Sequence, residues 1–399
     1  MRVLAVGNMY PPHHLGGYEL MWRAATEELR SSGHRVRVLT TDHRADRADT
    51  TLAEDPDVRR ELRWYWRDHE FPRLSPRERL ALERHNQRVL ARNLAEVDPD
   101  VVSWWAMGGM SMSLIERVRR SSLPAVGFVH DDWMVYGPKV DAWQRALARL
   151  GPVAAPAAAA AGAPALGDLG AAARWVFVSE ACRRHAEKRW AMSETAIAHS
   201  GVDADLFRPA PERSEWSGAL VYVGRIDPRK GIDVAVRALE HLPEATLTVV
   251  GSGDDEHLAE LRRIADDAKA GDRVTFRTAA RDEVPEVYTA ADAVVFPVQW
   301  EEPWGLVPLE AMAVGRPVIA TGRGGSGEFL RDGENSLLYE PADDSRALAD
   351  AVRRLAEDAG LRGRLRAGGF ATASRHDERS FRKAAVEQHE IAMERSLAK

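Results

Sequence analysis

The segment from Trp300 to Ala311, WEEPWGLVPLEA, carries two glutamates at a spacing that suits a single bound ligand. Glu302 and Glu310 have seven residues between them. On one continuous helix, eight steps would leave the two side chains about 80° apart. Pro303 and Gly305 predict instead that the first glutamate lies on a loop and only the second on a helix. One ligand lying across this helix start could then contact both carboxylates.

A second segment, GRIDPRKG (224–231), carries Arg225 and Lys230 around a turn that opens a helix. Two fixed cations beside the N–H groups of a helix start form a good receptor for a diphosphate. The alternative is a solvated charged turn, because Asp227 could pair with either cation. The neighbouring motifs favour the anion site.

The segment MYPPHHLGGYE (9–19) predicts a glycine-containing loop between a strand and a helix. Gly16 and Gly17 would let the backbone approach a phosphate closely, although a tight turn would need the same residues. His13 and His14 do not indicate a metal site, because adjacent histidines point apart and no cluster of ligands accompanies them.

A histidine, His130, ends an apolar run in FVHDDW (128–133). A lone histidine is usually a structural residue of the core. Its position at the carboxyl end of a predicted strand raises the expectation that it contacts a ligand.

Two other patterns resemble cofactor motifs but lack essential residues. VVGSGDDEHL (249–258) has Gly251 and Gly253, but Glu256 occupies the third glycine position of a dinucleotide fingerprint. VDPDV (97–101) carries an Asp-x-Asp pair, which its proline and the strand behind it assign to a turn. We therefore expect no NAD cofactor and no catalytic metal.

Short apolar runs alternate with longer helical patterns along the chain. Near-continuous apolar strands separated by helices indicate parallel sheets covered on both faces. The runs are 3–7, 36–41, 101–106, 125–130 and 175–179 in the first half, and 219–224, 246–251, 274–278, 293–297 and 317–321 in the second. Two sets of five predict an α/β protein with two doubly wound domains.

The predicted boundary lies near residues 200–218, a segment rich in proline, serine and charge. Doubly wound sheets bind ligands beyond the carboxyl ends of their strands. The candidate residues named above follow predicted strands in both halves. We therefore expect them to converge on one cleft between the domains.

The composition is that of a globular protein with mixed charges, at a net charge of −6. It gives no support to a nucleic-acid partner, which usually meets a clustered basic face. Cys182 is the single cysteine, so a reducing, cytoplasmic compartment is expected. The arginine-rich helical pattern at 75–97 has a small excess of positive charge, which favours a solvated face over contact with a membrane.

The order of four motifs along the chain resembles that of glycosyltransferase family four. The motifs are the Gly-Gly loop, the strand-ending His130, the GR…K segment and EEPWGLVPLEAMAVGRPVIAT. HSGVDADLFRP (199–209) is similar to the segment with which that family begins its second domain. The resemblance implies retaining transferases with the GT-B fold, in which two Rossmann-like domains face each other across a cleft. It implies an acceptor domain over 1–205 and a donor domain over 206–377, with a C-terminal helix at about 378–399 packing back on the first.

The resemblance also implies a role for each matching residue. Glu302 would bind the donor sugar and Glu310 the ribose, while Arg225 and Lys230 would neutralise the leaving diphosphate. The remaining contacts to sugar and phosphates would come from Gly16, Gly17, His130 and the N–H groups of Gly305, Leu306 and Val307. The donor would be a nucleoside-diphosphate sugar, with a UDP-sugar as the first candidate, and no metal or other cofactor is implied.

The implied reaction moves a sugar to an acceptor hydroxyl of a glycan, a glycolipid or a small natural product. Two alternatives remain: a sugar-nucleotide 2-epimerase, which needs no acceptor, and a non-catalytic protein that binds sugar nucleotides. The order and spacing of the motifs favour the transferase. The proline and glycine residues of the Ala-, Pro- and Gly-rich segment 151–174 break any long helix, so we expect a flexible loop or a broken helix on the rim of the cleft. A tether is favoured over a lid that grips the substrate.

Overall fold

The computed structural model describes residues 1–45, 49, 52–66, 70–151, 153–213 and 215–397. The chain forms two compact units. The first unit consists of Met1–His199 and Phe381–Lys399, and the second consists of Ser200–Ser380. The second unit is therefore inserted into the sequence of the first.

The first unit is built on a parallel sheet of seven strands in the order β3-β2-β1-β4-β5-β6-β7. Its central strands are mostly apolar and are buried except at Arg2, as expected for a sheet covered on both faces. The strands are β1 (Arg2–Val6), β2 (Arg35–Thr41), β3 (Val58–Leu62), β4 (Val101–Trp104), β5 (Ala125–Val129), β6 (Arg174–Phe177) and β7 (Thr195–Ile197).

The helices of the first unit follow its strands, in agreement with the predicted alternation. They are α1 (Gly17–Ser31), α2 (Pro76–Val97), α3 (Ser113–Arg120), α4 (Trp133–Val140), α5 (Ala142–Leu150), α6 (Ala154–Ala160) and α7 (Glu180–Glu187). No helix within the described part of the chain is both long enough and apolar enough to cross a membrane.

The second unit repeats the arrangement with six parallel strands in the order β10-β9-β8-β11-β12-β13. The strands are β8 (Ala219–Val223), β9 (Thr246–Val250), β10 (Val274–Arg277), β11 (Ala293–Phe296), β12 (Val318–Ala320) and β13 (Leu337–Leu338). The helices are α8 (Ile232–Ala238), α9 (Asp255–Asp267), α10 (Val284–Ala290), α11 (Leu306–Val314), α12 (Ser345–Glu357) and α13 (Ala359–Arg375).

The last helix, α14 (Glu378–Leu397), returns to the first unit. Its inward face carries Phe381, Ala385 and His389, which are at most 1% exposed. His389 donates from Nδ1 to the carbonyl of Ala385 at 2.6 Å, and its Nε2 lies 2.9 Å from the hydroxyl of Ser103 on β4. Its ring also stacks on Phe128 of β5. The helix therefore completes the core of the first unit.

All ten predicted strands are present, and the structure adds β3, β7 and β13. The prediction of five strands in each half was therefore wrong in number. Each added strand is paired at an edge of its sheet. Two of them have two or three residues, and β3, VRREL, is polar and only partly buried. Edge strands need no long apolar run, so the apolar pattern does not reveal them.

The segment 151–174 includes the short helix α6, whose Ala154 and Ala158 pack on Leu147 of α5. Beyond α6, Trp143 donates from Nε1 to the carbonyl of Ala163 at 2.9 Å. Gln144 accepts from the N–H of Leu166 at 2.8 Å. These contacts fix the described part of the segment against α5, so of the two expected conformations it has the broken helix and not the flexible loop.

Candidate functional site

Glu302 lies on the loop before α11, and Glu310 lies in the second turn of that helix. The loop ends at Gly305, whose φ of 118° is a conformation that favours glycine. Apart from Glu310, the helix behind it is apolar, and it is buried from Pro308 to Val314, so it is held by the core rather than by solvent contacts. The predicted division between loop and helix is confirmed.

The carboxylate of Glu302 is held by two donors at one oxygen. Lys230 Nζ and the indole Nε1 of Trp300 each donate to Glu302 Oε2 at 2.7 Å. The side chains of Lys230 and Glu302 are each 13% exposed, which shields the pair from much of the solvent. Oε1 accepts from none of the described residues, so it keeps its lone pairs for a ligand.

The loop after β8 presents its two predicted cations differently. Asp227 pairs with Arg229 at 2.8 Å, and hydrogen bonds from Arg229 lower the pKa of Asp227 to about 2. Asp227 thus forms an ion pair with Arg229 and not with Arg225 or Lys230, contrary to the alternative in which it pairs with either predicted cation. Arg225 is exposed, and its guanidinium forms no ion pair with any residue that the structure describes. Its charge is therefore available to an anion.

Two close backbone contacts fix these loops at the carboxyl edge of the second sheet. A Cβ at Gly231 would lie 2.0 Å from the carbonyl oxygen of Pro297, directly after β11. A Cβ at Gly324 would lie 2.3 Å from the carbonyl oxygen of Glu302, and the N–H of Gly325 donates to that oxygen at 2.7 Å. The loop of Glu302 is thus held by backbone contacts on the side facing Gly324.

Glu310 is 5% exposed and is held by two side chains from the preceding segment. Tyr288 of α10 donates its hydroxyl to Oε2 at 2.9 Å, and Arg281 donates to Oε1 at 3.4 Å. Burial raises the pKa of Tyr288 well above its usual value, so the phenol stays a donor at neutral pH. These partners fix the rotamer of the carboxylate and leave it further lone pairs.

The start of α11 offers free donors next to this carboxylate. Gly305, Leu306 and Val307 are partly exposed. The first N–H groups of a helix have no intrahelical acceptor, and Pro308 has no N–H of its own. Within the second unit, the structure therefore assembles cations, N–H donors and two carboxylates along one edge of the sheet.

In the first unit, the Gly-Gly loop leads directly into α1, which begins at Gly17. Gly16 adopts an extended conformation, and a Cβ there would meet no atom within 4 Å. Neither packing nor backbone conformation requires a glycine at this position, and the space beside it is open to a ligand. Its N–H donates to the carboxylate of Glu19 at 3.1 Å.

His130 directly follows β5, as predicted, and its ring is stacked on Tyr18 at 4.7 Å with nearly parallel planes. Phe381 meets it edge-on at 5.3 Å. Burial among these rings lowers the pKa of His130 to about 3, so the imidazole is neutral at physiological pH. It can therefore contact a ligand as a neutral hydrogen-bonding group and not as a cation.

Sequence patterns missed the residues that hold the two glutamates. Trp300 lies two positions before Glu302, and nothing local distinguishes it from a packing aromatic. Tyr288 and Arg281 are more than twenty residues from Glu310 along the chain, so only the tertiary structure pairs them. Tyr18 next to the Gly-Gly loop was also missed.

Two other expectations concern metal and dinucleotide sites. Among the described residues, no group of three or more His, Cys, Asp or Glu side chains is placed to hold a metal ion. Gly251 and Gly253 have a packing reason, because a Cβ at either position would collide with the backbone of the β8 loop at 1.9 and 2.2 Å. Their spacing therefore needs no dinucleotide to explain it.

Two family models match almost the whole chain between them. Residues 15–206 match the model of Glycosyltransferase Family 4, and residues 204–371 match that of the Glycosyl transferases group 1. The chain therefore belongs to this family of glycosyltransferases, as its motifs suggest.

Curated relatives share part of the chain. A D-inositol 3-phosphate glycosyltransferase of Mycobacteroides abscessus is 40% identical over 172 residues, which are 40% of this chain and 38% of the relative. One of Streptomyces bingchenggensis is 34% identical over 208 residues, or 46% of this chain and 44% of the relative. The matches thus span less than half the length of these relatives.

Solved structures match over nearly the full length. The sucrose-phosphate synthase of Thermosynechococcus elongatus has a TM-score of 0.73 at 23% identity, covering 100% of this chain and 99% of its own. Anabaena HepE, determined in complex with UDP and glucose, has a TM-score of 0.71 at 21% identity, covering 97% and 98%. The fold is therefore that of the GT-B glycosyltransferases.

Proposed function

We propose that this protein is a retaining glycosyltransferase that moves a sugar from a nucleoside-diphosphate sugar to an acceptor hydroxyl. The observation that carries the proposal is the Lys230–Glu302 pair beside the unpaired Arg225 at the carboxyl edge of the second sheet. A carboxylate with one free oxygen suits sugar hydroxyls, and the neighbouring cations suit a diphosphate.

The donor would lie along the start of α11. Glu310 would accept hydrogen bonds from the ribose hydroxyls, the N–H groups of Gly305, Leu306 and Val307 would face the phosphates, and Glu302 would hold the sugar. Helix starts favour anions through their free N–H groups and dipole. In the first unit, Gly16, Gly17 and His130 are assigned to the phosphates and sugar by family resemblance.

In the proposed reaction, the bond between the anomeric carbon and the phosphate oxygen breaks, and its electron pair stays on the diphosphate. The acceptor oxygen forms the new bond on the same face of the sugar, and its proton passes to the leaving phosphate. Positive charge grows on the sugar while negative charge grows on the diphosphate. Arg225 and Lys230 would stabilise that negative charge without reorganising, which is the usual source of such rate enhancement.

The finer features of the proposal concern the donor. We take UDP-glucose as the first donor to test, because HepE was crystallised with UDP and glucose. No resident cofactor is invoked, because Arg225 and Lys230 supply the positive charge that a divalent cation supplies elsewhere.

The test is the release of nucleoside diphosphate from a panel of UDP-, GDP- and ADP-sugars, with and without an acceptor mixture. Release accelerated by acceptor supports the transferase. Conversion of the donor into its 2-epimer would replace the proposal by the epimerase. Binding of a donor with neither release nor conversion would indicate a non-catalytic binding protein. The Lys230→Met variant, which removes the charge but keeps the bulk, is the inactive control.

A further inference from the structure

Four aromatic side chains gather at the carboxyl edge of the first sheet. The rings of Trp64 and Trp66, which follow β3, lie 4.6 Å apart, and His43, which follows β2, meets them edge-on at 5.7 and 5.5 Å. A Cβ at Gly109 would lie 2.6 Å from Trp64 Nε1 and 3.1 Å from the Phe71 ring, so both rings border that backbone. His43, Trp64, Trp66 and Phe71 are called the aromatic platform below.

The buried residue between the two tryptophans explains why they share one side of the chain. Side chains in an extended segment alternate, so Trp64 and Trp66 point together when Tyr65 points the other way. Tyr65 is 2% exposed and donates its hydroxyl to Glu83 Oε1 at 2.6 Å. Glu83 of α2 is fully buried and accepts a second bond from Ser113. A buried carboxylate thus anchors the segment.

Hydrogen bonds to the neighbouring loops fix the platform further. Asn86 of α2 accepts from the N–H of Arg63 at 2.7 Å and donates to its carbonyl at 2.8 Å. Trp64 Nε1 donates to the carbonyl of Gly108 at 2.9 Å, and the N–H of Tyr65 donates to that of Gly109 at 3.1 Å. The rings are therefore held in place before any ligand binds. A ligand that contacts them does not have to offset the entropic cost of ordering them.

The platform is not part of the hydrophobic core. The core aromatics of the first unit, such as Trp22, Trp105 and Phe128, are at most 1% exposed. His43, Trp64 and Trp66 are partly exposed, and Phe71 is 44% exposed. Partly exposed rings at the carboxyl ends of parallel strands lie where doubly wound sheets bind ligands.

The surroundings of the platform are polar. Asp42, Arg44 and Arg63 are exposed beside the rings in sequence. An apolar surface with a rim of donors and acceptors matches a ligand that has an apolar face and a polar edge. A sugar ring has this character, because its C–H groups form a face and its hydroxyls point outward. A wholly apolar aglycone would form no hydrogen bonds with the polar rim, and a bare phosphate would make no apolar contact with the rings.

We propose that the aromatic platform binds the acceptor, and that this acceptor is a saccharide whose ring stacks on Trp66. The inference rests on the proposed function, since it names the acceptor class of that reaction. Its contacts lie wholly within the first unit. The platform then supplies the choice of acceptor, while the second unit supplies the choice of donor.

The first experiment measures binding without catalysis. The full-length protein, saturated with UDP, is applied to an array of immobilised oligosaccharides that also carries inositol phosphate, a phenyl aglycone and an alkyl chain. We expect retention on at least one saccharide. Retention only on inositol phosphate, the phenyl aglycone or the alkyl chain, or on nothing, would overturn the proposal.

The second experiment identifies the side chain. For the saccharide retained, Trp66→Leu should weaken binding by about tenfold or more, the scale of losing one aromatic contact face. Trp66→Phe keeps a ring and should recover most of the affinity. Trp216→Leu, at a partly buried tryptophan of the second unit, is the matched control and should bind as the wild type does. Equal binding by Trp66→Leu and wild type would overturn the proposal.

A kinetic measurement separates this inference from the proposed function. In the transfer reaction, Trp66→Leu should raise the KM for the saccharide much more than it lowers kcat, while the Kd for UDP stays as in the wild type. If no donor in the panel releases its diphosphate but saccharide binding depends on Trp66, the proposed reaction fails and the platform stands. If release is stimulated only by non-saccharide acceptors, the platform fails and the reaction stands.

Discussion

At the scale of single residues, the site in the second unit depends on one unpaired cation and one paired cation. Arg225 has no described ion-pair partner, whereas Lys230 shares Glu302 with Trp300. Binding of a diphosphate therefore has different consequences for the two. Arg225 gains a partner, while Lys230 must divide its donors between the carboxylate and the phosphates.

Arg225→Ala should lower kcat/KM by about 10²–10³, the cost of losing one preorganised charge-stabilising group. Lys230→Ala should cost at least as much, because it also removes a donor from Glu302. Steady-state kinetics with the active donor measures both. Arg237→Ala, an exposed change of equal charge on α8, should remain near the wild-type rate. Near-normal rates in both site variants would mean that the diphosphate binds elsewhere.

The two glutamates should differ in which ligand they affect. Glu310→Gln weakens a contact to a part of the donor that does not react, so it should raise KM and weaken binding of free nucleoside diphosphate. Glu302→Gln should depress kcat without weakening the binding of free nucleoside diphosphate, because that ligand carries no sugar for Glu302 to contact.

Calorimetry with nucleoside diphosphate on both variants tests this division. The neighbouring change Glu301→Gln, at an exposed position, is the control and should behave as the wild type does. Equal weakening by Glu302→Gln and Glu310→Gln would show that our division of roles is wrong.

The proposed chemistry should survive removal of divalent metal. Arg225 and Lys230 are fixed beside the helix start and can neutralise the leaving diphosphate without an ion. We expect the rate in EDTA to stay within about twofold of the untreated enzyme, a change of less than 0.5 kcal/mol in the barrier. Loss of most activity in EDTA, with recovery on adding Mg²⁺ or Mn²⁺, would contradict this.

At the scale of elements, local signals revealed those features that depend on neighbours in sequence. Pro303 and Gly305 end a loop and open α11, so the positions of Glu302 and Glu310 relative to that helix were predictable. The Arg281–Glu310 and Trp64–Trp66 contacts arise from tertiary packing and from the alternation imposed by Tyr65. The strands β3, β7 and β13 were missed because an edge position requires little apolar sequence.

The helix α14 should make the first unit sensitive to acid. Burial lowers the pKa of His389 to about 4, below the ordinary value of 6.5 that it regains on unfolding. The unfolded chain therefore binds the proton more readily between these values. The stability contributed by the neutral ring is present above pH 6.5 and is lost as pH falls towards 4. Through His389 alone, the fall from pH 7.5 to 5 should cost about 2 kcal/mol of stability.

Denaturant unfolding at pH 7.5, 6 and 5 measures this loss. His389→Gln should be less stable than wild type at pH 7.5, because its buried bond to Ser103 is disturbed. It should nevertheless lose less stability on acidification. His130 remains in that variant with its own lowered pKa, so part of the slope should persist. An unchanged slope would show that the imidazole of His389 is not responsible.

At the scale of the whole molecule, the two units differ in their dependence on α14. The second unit ends at Ser380, before the helix face that carries Phe381, Ala385 and His389. Removing that face would expose the core of the first unit and leave the core of the second intact.

A chain ending at Ser380 should therefore keep a folded second unit and lose the first. Limited proteolysis with mass spectrometry should recover a resistant fragment covering about residues 200–380, with the first unit digested. In the full chain, Phe381→Ala should destabilise the first unit by about 3–5 kcal/mol, whereas Arg379→Ala, at an exposed position, should not. Equal digestion of both units in the shortened chain would contradict the prediction.

The insertion of one unit within the other also sets an order of events on the ribosome. All residues of the second unit are synthesised before Phe381 and His389. The seven strands of the first unit are therefore synthesised while part of the helical covering of their sheet is still missing. About 180 further residues are translated before that covering is made, which takes roughly 10–40 s at ordinary elongation rates. During that interval its exposed apolar surface is a substrate for chaperones. The domain that begins first is therefore the domain that matures last.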